Sequence, residues 1–475
     1  MATARQRVVI LGAGVTGLTA AWALSKIKGN DVVILETEAA VGGLATTFKK
    51  DNFSFDTGSH RLHQDCEPEA LDLIKDLCGA DLLRRKRSGL IFLQGKALPY
   101  PPSALDIVFG FGLHDALRFI GDFVRARLPA RVVADRVEDF ETFLVTKLGK
   151  GLYERFYKPY AIKLYGTSPR RVSKEAAANR ARKFTLGGIY GDLKRKLRHR
   201  RPEYLYPANG IGELANSLRV RFVRNGGNLL FISRIDRFRI KDDRVIHAVD
   251  ITTNDGKAVT LEADVVISTI PLDVLHQLVV LDREGGAHPH FNLQWRGLRL
   301  LYLITRDKIP SEHETFYFPE RDVAFGRVSE LGKYSPFLNQ DSGRVVLTIE
   351  IPCSYGDETW NAADDRLVTS CIKELQRVRI LRTPGSSEVE CFSKKLRAVY
   401  PVYDLGWKER FNRICDRVNS IENLYLIGRT ALFLHCNIDH CITMALTLSK
   451  HLEANHSRDE WKRIQQGFFD YHVHE

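Results

Sequence analysis

The sequence lacks any apolar run close to the roughly 20 residues that a transmembrane helix needs. Residues 1–6 are too few for a signal peptide, because a strand-like run begins directly after them. The eight cysteines match no zinc-binding or CxxC spacing, and the nearest pair is Cys436 and Cys441. Scattered cysteines of this kind are typical of free thiols in a reducing compartment. We therefore expect a cytoplasmic protein with no transmembrane segment and no metal site.

Acidic residues are too few to balance the basic ones, and the net charge is +12. Basic clusters occur at residues 84–87 (RRKR) and 194–201 (KRKLRHRR), but no nucleic-acid-binding motif accompanies them. Such clusters attract phosphorylated substrates or an anionic membrane surface, and a solvated basic face is an equally good explanation. We predict no nucleic-acid partner. Peripheral contact with an anionic membrane remains an open alternative.

The chain opens with a strand, a tight glycine turn and a helix. An apolar run at residues 7–11 leads directly into Gly12-x-Gly14-x-x-Gly17, and a helical apolar pattern follows. A second strand-like run ends in Glu36, at the spacing of an acid that binds ribose hydroxyls and disfavours a 2′-phosphate. This βαβ unit predicts that the cofactor is FAD or NAD rather than NADP. Its candidate cofactor contacts are Gly12, Gly14, Val15, Gly17 and Glu36.

A second glycine loop, Gly42-Gly43-Leu44, is followed by an aromatic-Asp-x-Gly segment that ends at Gly58. With the first unit, this order looks like the FAD-binding half of the flavin amine oxidase and protoporphyrinogen oxidase superfamily. Gly58-x-His60-x-x-His63 also resembles a segment of UDP-galactopyranose mutases that lies against the isoalloxazine ring. The resemblance implies FAD, cofactor contacts at Gly43, Leu44, Ser59 and His60, and proton transfer by His60 and His63. A pair of packed histidines is the alternative.

Two further segments are similar to the mutases. Residues 158–169 resemble a mutase segment, with Tyr165 in the place of the Trp that the mutases usually have. Near the position of Arg182, the mutases carry an arginine that faces the substrate. Residues 398–404 resemble the segment that places a tyrosine over the mutase flavin. The resemblance implies site roles for Tyr165, Arg182, Tyr400 and Tyr403. Solvated arginines and core aromatic packing are the alternatives.

The carboxyl-terminal part supplies a second anchor for the cofactor. A strand ends in Gly428-Arg429, and a helix begins near Asp439. The free N–H groups at the start of this helix could bind the flavin. The resemblance adds Ile438 to these contacts, and Ile235 as a strand residue whose backbone faces adenine. Leu434 and His435 replace an arginine and a tyrosine that touch the substrate diphosphate in the mutases. This departure weighs against a nucleotide-sugar substrate.

We predict an α/β fold in which a Rossmann-type FAD-binding domain is interleaved with a mixed α+β substrate domain. The FAD-binding pieces are predicted at 1–62, 203–275 and 420–455, a helical cap at 63–202, a substrate domain with an antiparallel sheet at 276–419, and a helical tail at 456–475. The predicted function is FAD-dependent oxidation of a small molecule, with hydride transfer to flavin N5. A redox-neutral sugar mutase and a non-enzymatic flavin-binding subunit are the alternatives. A phosphorylated substrate and an isoprenoid substrate both remain open.

Overall fold

A computed structural model describes residues 6–100, 106, 110, 112–127, 137–176, 202–281, 292–307, 309–339, 343–382, 389–471 and 473.

Its strands are β1 Gln6–Leu11, β2 Asn30–Glu36, β3 Thr47–Lys50, β4 Phe53–Asp56, β5 Leu82–Lys86, β6 Gly89–Leu93, β7 Lys96–Tyr100, β8 Glu203–Pro207, β9 Asn228–Lys241, β10 Val245–Thr253, β11 Ala258–Glu262, β12 Val265–Ser268, β13 Gln294–Thr305, β14 Thr315–Tyr317, β15 Arg327–Glu330, β16 Val345–Cys353, β17 Glu390–Val402 and β18 Leu424–Leu426.

Helices pack on both sheets, and two helical elements lie near the carboxyl end of the chain. The longer helices are α1 Val15–Leu24, α2 Pro68–Cys78, α3 Leu113–Arg127, α4 Phe140–Leu148, α5 Lys158–Tyr165, α6 Glu213–Arg224, α7 Leu272–Leu281, α8 Asp364–Arg377, α9 Trp407–Asn419, α10 Ile438–Glu453 and α11 Arg458–Gly467. Shorter helical turns cover Gly43–Ala45, Gly79–Asp81, Lys150–Leu152, Tyr153–Tyr157, Pro169–Arg171, Leu331–Tyr334, Pro336–Leu338, Glu358–Asn361 and Phe468–Asp470. Among the described residues, we find no helix with the length and apolar content needed to span a membrane.

The first sheet has seven strands in the order β11-β10-β9-β2-β1-β12-β18. The five strands from β9 to β18 in this order pair in parallel, and β9, β10 and β11 form an antiparallel extension. The last four residues of β1, from Val8 to Leu11, are apolar and buried, as expected where helices cover both faces of a parallel sheet. Helix α1 packs against α10 and α6 on this sheet. Three separate stretches of the chain therefore build one layer.

The second sheet also has seven strands, in the order β17-β13-β16-β15-β14-β6-β7. Its pairings are antiparallel except for β14 with β6, so the sheet predicted as antiparallel is in fact mixed. The stretch 63–202, predicted to be helical, contributes β6 and β7 to it and β5 to a two-stranded sheet with β8.

The three prolines of segment 98–102 favour an interruption of regular structure, yet its first three residues form part of a strand. Leu98, Pro99 and Tyr100 belong to β7. Among the described residues, β7 is an edge strand whose one partner is β6, so the N–H that Pro99 lacks is not needed by a second neighbour.

The carboxyl-terminal tail packs on the first layer. Helix α11 begins after Ser457, whose side chain accepts a hydrogen bond from the Glu460 N–H. The Trp461 side chain is fully buried, and its ring centroid lies 6.0 Å from that of Tyr425. The tail thus belongs to the core that surrounds the first sheet.

Candidate active site

The glycine turn after β1 is closed on one side and open on the other. Gly12 has φ +100°, and its N–H donates to Leu35 O at 2.8 Å. A Cβ on Gly17 would lie 2.1 Å from Gly12 O, whereas a Cβ on Gly14 would meet nothing nearer than Gly42 O at 3.9 Å. The space over Gly14 is therefore a cradle that a side chain would fill. A pyrophosphate fits there, because the first turn of α1 has no side-chain cap and offers its N–H groups.

Helix α1 begins at Val15, so the Val15 N–H is among those groups. The acid at the end of β2 lies beside the same turn. Glu36 accepts hydrogen bonds from the Ala13 N–H at 2.7 Å and the Glu38 N–H at 2.8 Å. A carboxylate has about four lone-pair sites, so two such bonds leave capacity for ribose hydroxyls.

The second glycine loop meets the first. Gly42 and Gly43 have φ +114° and +58°, and Gly42 forms an isolated bridge with Gly14. The carbonyl of Leu44 accepts a hydrogen bond from Thr57 Oγ1 at 2.8 Å. The loop predicted to contact the cofactor is therefore fixed next to the phosphate cradle.

Helix α10 points its N-terminus at the other side of this region. Its N-cap is Asn437, whose N–H donates to His440 Nδ1 at 3.1 Å. Ile438 and Asp439 form the start of the first turn, and Asp439 is 3% exposed. Thr16 in the first turn of α1 hydrogen-bonds the Cys441 thiol in the first turn of α10, so the two helix N-termini meet closely. Two positive helix ends next to each other suit a ligand with anionic or electron-rich groups at two places.

The guanidinium of Arg429 is engaged with backbone carbonyls. It donates to Val399 O at 3.0 and 2.8 Å and to Cys436 O at 2.6 Å. Arg429 therefore ties β17 to the loop before α10. Its backbone is engaged as well, because its carbonyl accepts from the Leu434 N–H at 2.9 Å and its N–H hydrogen-bonds the Cys441 thiol.

Ile235 lies in β9 at an irregular point of the sheet. The register against β10 shifts between Asp250 and Ile251, and Asp236 has no residue opposite it in the ladder. Such a bulge reorients the neighbouring backbone groups. This position agrees with a backbone contact but does not test it.

His60 lies beside a buried ion pair. Arg327 donates to Glu350 Oε1 at 2.8 Å and to Oε2 at 2.6 Å, and the Ser59 N–H donates to Glu350 Oε1 at 3.0 Å. Burial, with Arg327 and Arg429 nearby, lowers the pKa of His60 to about 4. The expected titration near neutral pH is therefore wrong, and His60 is a neutral imidazole at pH 7. Its buried Nδ1 has no hydrogen-bond partner among the described residues.

His63 is half-buried and follows the bridge between Leu62 and Leu205. It lines neither of the two cavities described below. His60 lines neither cavity either, so the structure does not bring the two histidines together there. Arg182, and Arg180 before it, lie outside the described residues.

The three predicted tyrosines border one cavity of about 860 Å³. Tyr165 ends α5 and is 8% exposed. The Tyr403 hydroxyl donates to Phe433 O at 3.2 Å and accepts from the His435 N–H at 3.0 Å, which fixes its ring. Burial raises the pKa of Tyr400 and of Tyr403, so both phenols stay protonated at neutral pH. Leu434 is 8% exposed and also lines this cavity.

A second, smaller cavity of about 80 Å³ shares Tyr400 with the first. Lys163 lines it and donates to the carbonyls of Phe318 at 2.7 Å and Phe325 at 2.9 Å. Burial lowers the pKa of Lys163 to about 8, which leaves most of the ammonium charged at pH 7. Arg327 and Glu350 complete the charged part of the lining.

The sequence analysis missed Arg327, Glu350 and Lys163 as site residues. The sequence does mark Glu350, because it is the one acidic residue in β16, whose other residues are mostly apolar. No sequence pattern marks Arg327, because its partner lies on the neighbouring strand of the sheet.

The basic cluster at 84–87 is only partly open to solvent, with Arg84 and Lys86 exposed. The Arg85 guanidinium donates to Lys333 O at 2.6 Å, Arg84 lies 3.6 Å from Glu203, and Arg87 is 8% exposed. The cluster at 194–201 lies outside the described residues. Membrane contact through these clusters therefore remains a prediction.

Solved structures share this architecture. A reduced UDP-galactopyranose mutase superposes with TM-score 0.77 and 20% identity, and the match covers 95% of this chain and 96% of that one. A putrescine oxidase with bound putrescine gives TM-score 0.61 and 14% identity over 94% of this chain and 99% of that one. These matches confirm the predicted α/β fold class.

Sequence relatives are porphyrin-pathway enzymes among others. The coproporphyrinogen III oxidase of Bacillus subtilis (strain 168) is 22% identical over 479 residues, which cover 93% of this chain and 97% of that enzyme. The coproporphyrinogen III oxidase of Propionibacterium freudenreichii is 28% identical over 180 residues, 36% of this chain, and the chain spans only 33% of that relative's length. The matches to an inactive all-trans-retinol 13,14-reductase of Danio rerio and to a 4,4'-diapophytoene desaturase of Staphylococcus haemolyticus span only 12% and 10% of those relatives.

The family described as flavin-containing amine oxidoreductase matches residues 15–447. The match begins after β1, at the start of α1, and ends within α10, so it includes all the other strands of the two sheets. The cradle over Gly14 and the unpartnered His60 Nδ1 fit a bound flavin nucleotide. The chain therefore belongs to the flavin-containing amine oxidoreductase family, and its cofactor is FAD.

Proposed function

We propose that the protein is a FAD-dependent oxidoreductase that takes a hydride from a largely apolar small molecule in the larger cavity. One observation carries this proposal. Leu434 forms part of the cavity wall, at the place where the similar mutase segment has an arginine for the substrate diphosphate. An apolar wall there favours a substrate without a diphosphate next to the reacting atom.

Aromatic rings dominate the wall nearest Tyr400. Tyr165, Tyr403 and Trp407 line it together with Leu432 and Leu434. Such rings bind planar or apolar molecules and exclude water from the reacting centre. The fixed Tyr403 hydroxyl and the packed Tyr165 ring would hold a substrate in one orientation, which supplies much of the catalytic advantage of a bound complex.

His60 is the proposed proton acceptor. Its pKa of about 4 makes the imidazole a neutral but weak base, so it accepts only a proton that hydride loss has made strongly acidic. Its unpartnered Nδ1 supplies the acceptor atom. Bound FAD supplies the hydride acceptor, N5 of its ring. The proposed catalytic roles of His63 and Arg182 gain no support from the described residues.

A sugar mutase is the second candidate, and the small cavity favours it. Lys163 and Arg327 place two cations next to Tyr400, and the net charge of that lining, with Glu350, is positive. An anionic substrate group fits this lining. The fold similarity to the mutase agrees with both candidates, because it shows architecture alone.

A screen of anaerobic flavin bleaching tests the proposal. The oxidised holoenzyme is mixed with porphyrinogens, isoprenoids, amines and UDP-galactopyranose, and the visible flavin band is followed. We expect a reduced, largely apolar candidate to bleach the band. If none bleaches it and the dithionite-reduced enzyme instead interconverts the sugar nucleotide without net oxidation, the mutase is the correct function.

A variant pair sharpens this screen. Leu434→Arg puts a charge into the apolar wall, and we expect at least about a tenfold slower bleaching with bound FAD retained. Lys408→Ala is the control, because its side chain is 65% exposed at the cavity rim and pairs with Glu175 at 3.5 Å. Equal losses in both variants would show that the apolar wall does not select the substrate.

A further inference from the structure

We propose that Cys436 and Cys441 form a redox modification site: a small disulfide oxidant closes them into an intramolecular disulfide, and the closed form binds FAD more weakly. The proposal rests on the position of the two thiols in the cofactor cradle, and it holds for either candidate reaction above.

The geometry brings the two thiols together without linking them. Their Sγ atoms lie 3.8 Å apart, and all eight cysteines are free. A disulfide has an S–S length of about 2.0 Å, so closure requires a relative movement of under about 2 Å. Cys436 is 3% exposed in the loop before α10, whereas Cys441 is only partly buried in the first turns of that helix.

The two thiols differ in a way that assigns their roles. The hydrogen bond between them lowers the pKa of Cys441 below its ordinary value and, with burial, raises the pKa of Cys436. The N-terminal end of α10 also favours a thiolate near Cys441. Cys441 is therefore the attacking thiol, and Cys436 is the resolving thiol.

With glutathione disulfide as the oxidant, the reaction is balanced in two exchanges. The Cys441 thiolate attacks one sulfur of glutathione disulfide, a mixed disulfide forms, and one glutathione thiolate leaves. Cys436 then loses its proton to solvent and attacks the Cys441 sulfur, and the second glutathione thiolate leaves. Two protein thiols are oxidised, and one glutathione disulfide is reduced to two glutathione molecules.

Closure acts on groups that border the cofactor. The carbonyl of Cys436 accepts from Arg429 at 2.6 Å, and Cys441 lies two residues after Asp439 in α10. Thr16 of α1 hydrogen-bonds the Cys441 thiol, which joins the two helix N-termini. Pulling Cys441 toward Cys436 breaks that junction. Because linkage is reciprocal, FAD that prefers the open form also opposes closure by the same factor.

Peptide mapping of the holoenzyme and of the FAD-stripped chain tests closure. Trypsin releases both cysteines on one peptide, residues 430–450, because no Lys or Arg lies between them. After treatment with glutathione disulfide and alkylation of free thiols, we expect this peptide to carry no alkyl group and to be lighter than the dithiol by two hydrogens. The FAD-stripped chain should close at a lower oxidant ratio than the holoenzyme. Full alkylation of both cysteines at every ratio would overturn the proposal.

Three variants separate the roles. Cys436→Ser should stop at a glutathione adduct on Cys441, and Cys441→Ser should form no adduct on Cys436. Cys66→Ser is the control: Asp439 contributes to the raised pKa of Cys66, so this thiol lies near the same helix end, and the disulfide should still form. The FAD dissociation constant of the oxidised wild-type chain should rise by about tenfold or more. An unchanged constant in the mapped disulfide form would overturn the effect on the cofactor.

Discussion

At the scale of single residues, two glycines of the same turn are needed for different reasons. Gly14 leaves space for a ligand, whereas Gly17 leaves space for the backbone of Gly12. We expect Gly14→Ala to raise the FAD dissociation constant by at least about tenfold while the melting temperature of the FAD-free chain stays level or rises, because Ala is allowed at its φ of −68°. Flavin fluorescence titration and thermal unfolding measure the two effects.

Gly17→Ala is the matched control. Its Cβ would lie 2.1 Å from Gly12 O, so the FAD-free chain itself should lose stability, by about 1 to 3 kcal/mol. If Gly14→Ala destabilised the FAD-free chain as much as Gly17→Ala does, the space over Gly14 would be part of the packed core and not a cofactor cradle.

Because folding lowers the pKa of His60, the free energy of unfolding depends on pH. Its folded value of about 4 lies below the unfolded value of about 6.5, so the unfolded chain binds more protons between these values and stability is lost as the pH falls through them. We expect the unfolding free energy of wild type minus that of His60→Gln to fall by about 2 to 3 kcal/mol from pH 7 to pH 4. Denaturant titrations at several pH values provide this difference.

The difference between the two proteins is needed because Asp56 acts in the opposite sense. Burial raises the pKa of Asp56 to about 6, so its folded form is favoured at low pH and loses stability as the pH rises from about 4 to 6. This contribution is common to wild type and variant and cancels. A difference that stays constant with pH would contradict a neutral, buried His60.

At the scale of elements, the tail helix α11 tests how far the first core extends. Trp461 is fully buried between Tyr425 and Phe468, at centroid distances of 6.0 and 5.9 Å. Trp461→Ala should cost about 3 to 5 kcal/mol of unfolding free energy through lost burial and the cavity it leaves. Phe469→Ala is the control, because Phe469 is 38% exposed and should cost under about 1 kcal/mol. Similar losses in both would place α11 outside the core.

Elements with a strong local signal were predictable, and those made by distant partners were not. The unit from β1 to Glu36, the helix α6 and the helix after Asp439 follow from apolar periodicity and glycine spacing. The strand β15 reads Arg-Val-Ser-Glu, which carries no strand pattern, and it exists because β14 and β16 pair with it on either side.

The same limit applies to the site. Tyr165, Tyr400 and Tyr403 were found through motif resemblance, and the structure brings all three to one cavity. The ion pair of Arg327 and Glu350 joins neighbouring strands, and spacing along the chain does not reveal such a pair. The sequence also missed the protonation state of His60, because burial and the nearby arginines that set its pKa are properties of the folded chain.

At the scale of the whole molecule, the chain enters the first sheet three times, with β1 and β2, then β9 to β12, and finally β18. The second sheet is built from stretches between these visits. We expect thermal unfolding to be one transition that FAD shifts upward, because neither layer consists of one continuous stretch that could unfold alone. At a free FAD concentration of 100 times the dissociation constant, the stabilisation should be about 2.7 kcal/mol.

Differential scanning calorimetry at several FAD concentrations measures this shift. Riboflavin, which lacks the pyrophosphate and adenosine parts, is the control and should shift the transition far less. Two resolved transitions, of which only one responds to FAD, would show that the two layers are thermodynamically separate in spite of the shared chain path.

The hydrogen bonds of the Arg429 guanidinium constrain how this protein can evolve. It fastens Val399, the residue before Tyr400, to the carbonyl of Cys436. A mutation that repositions the ring of Tyr400 for a new molecule therefore also disturbs the loop that precedes α10, and vice versa. The proposed substrate wall and the proposed flavin contact would therefore change together, which narrows the paths open to directed evolution.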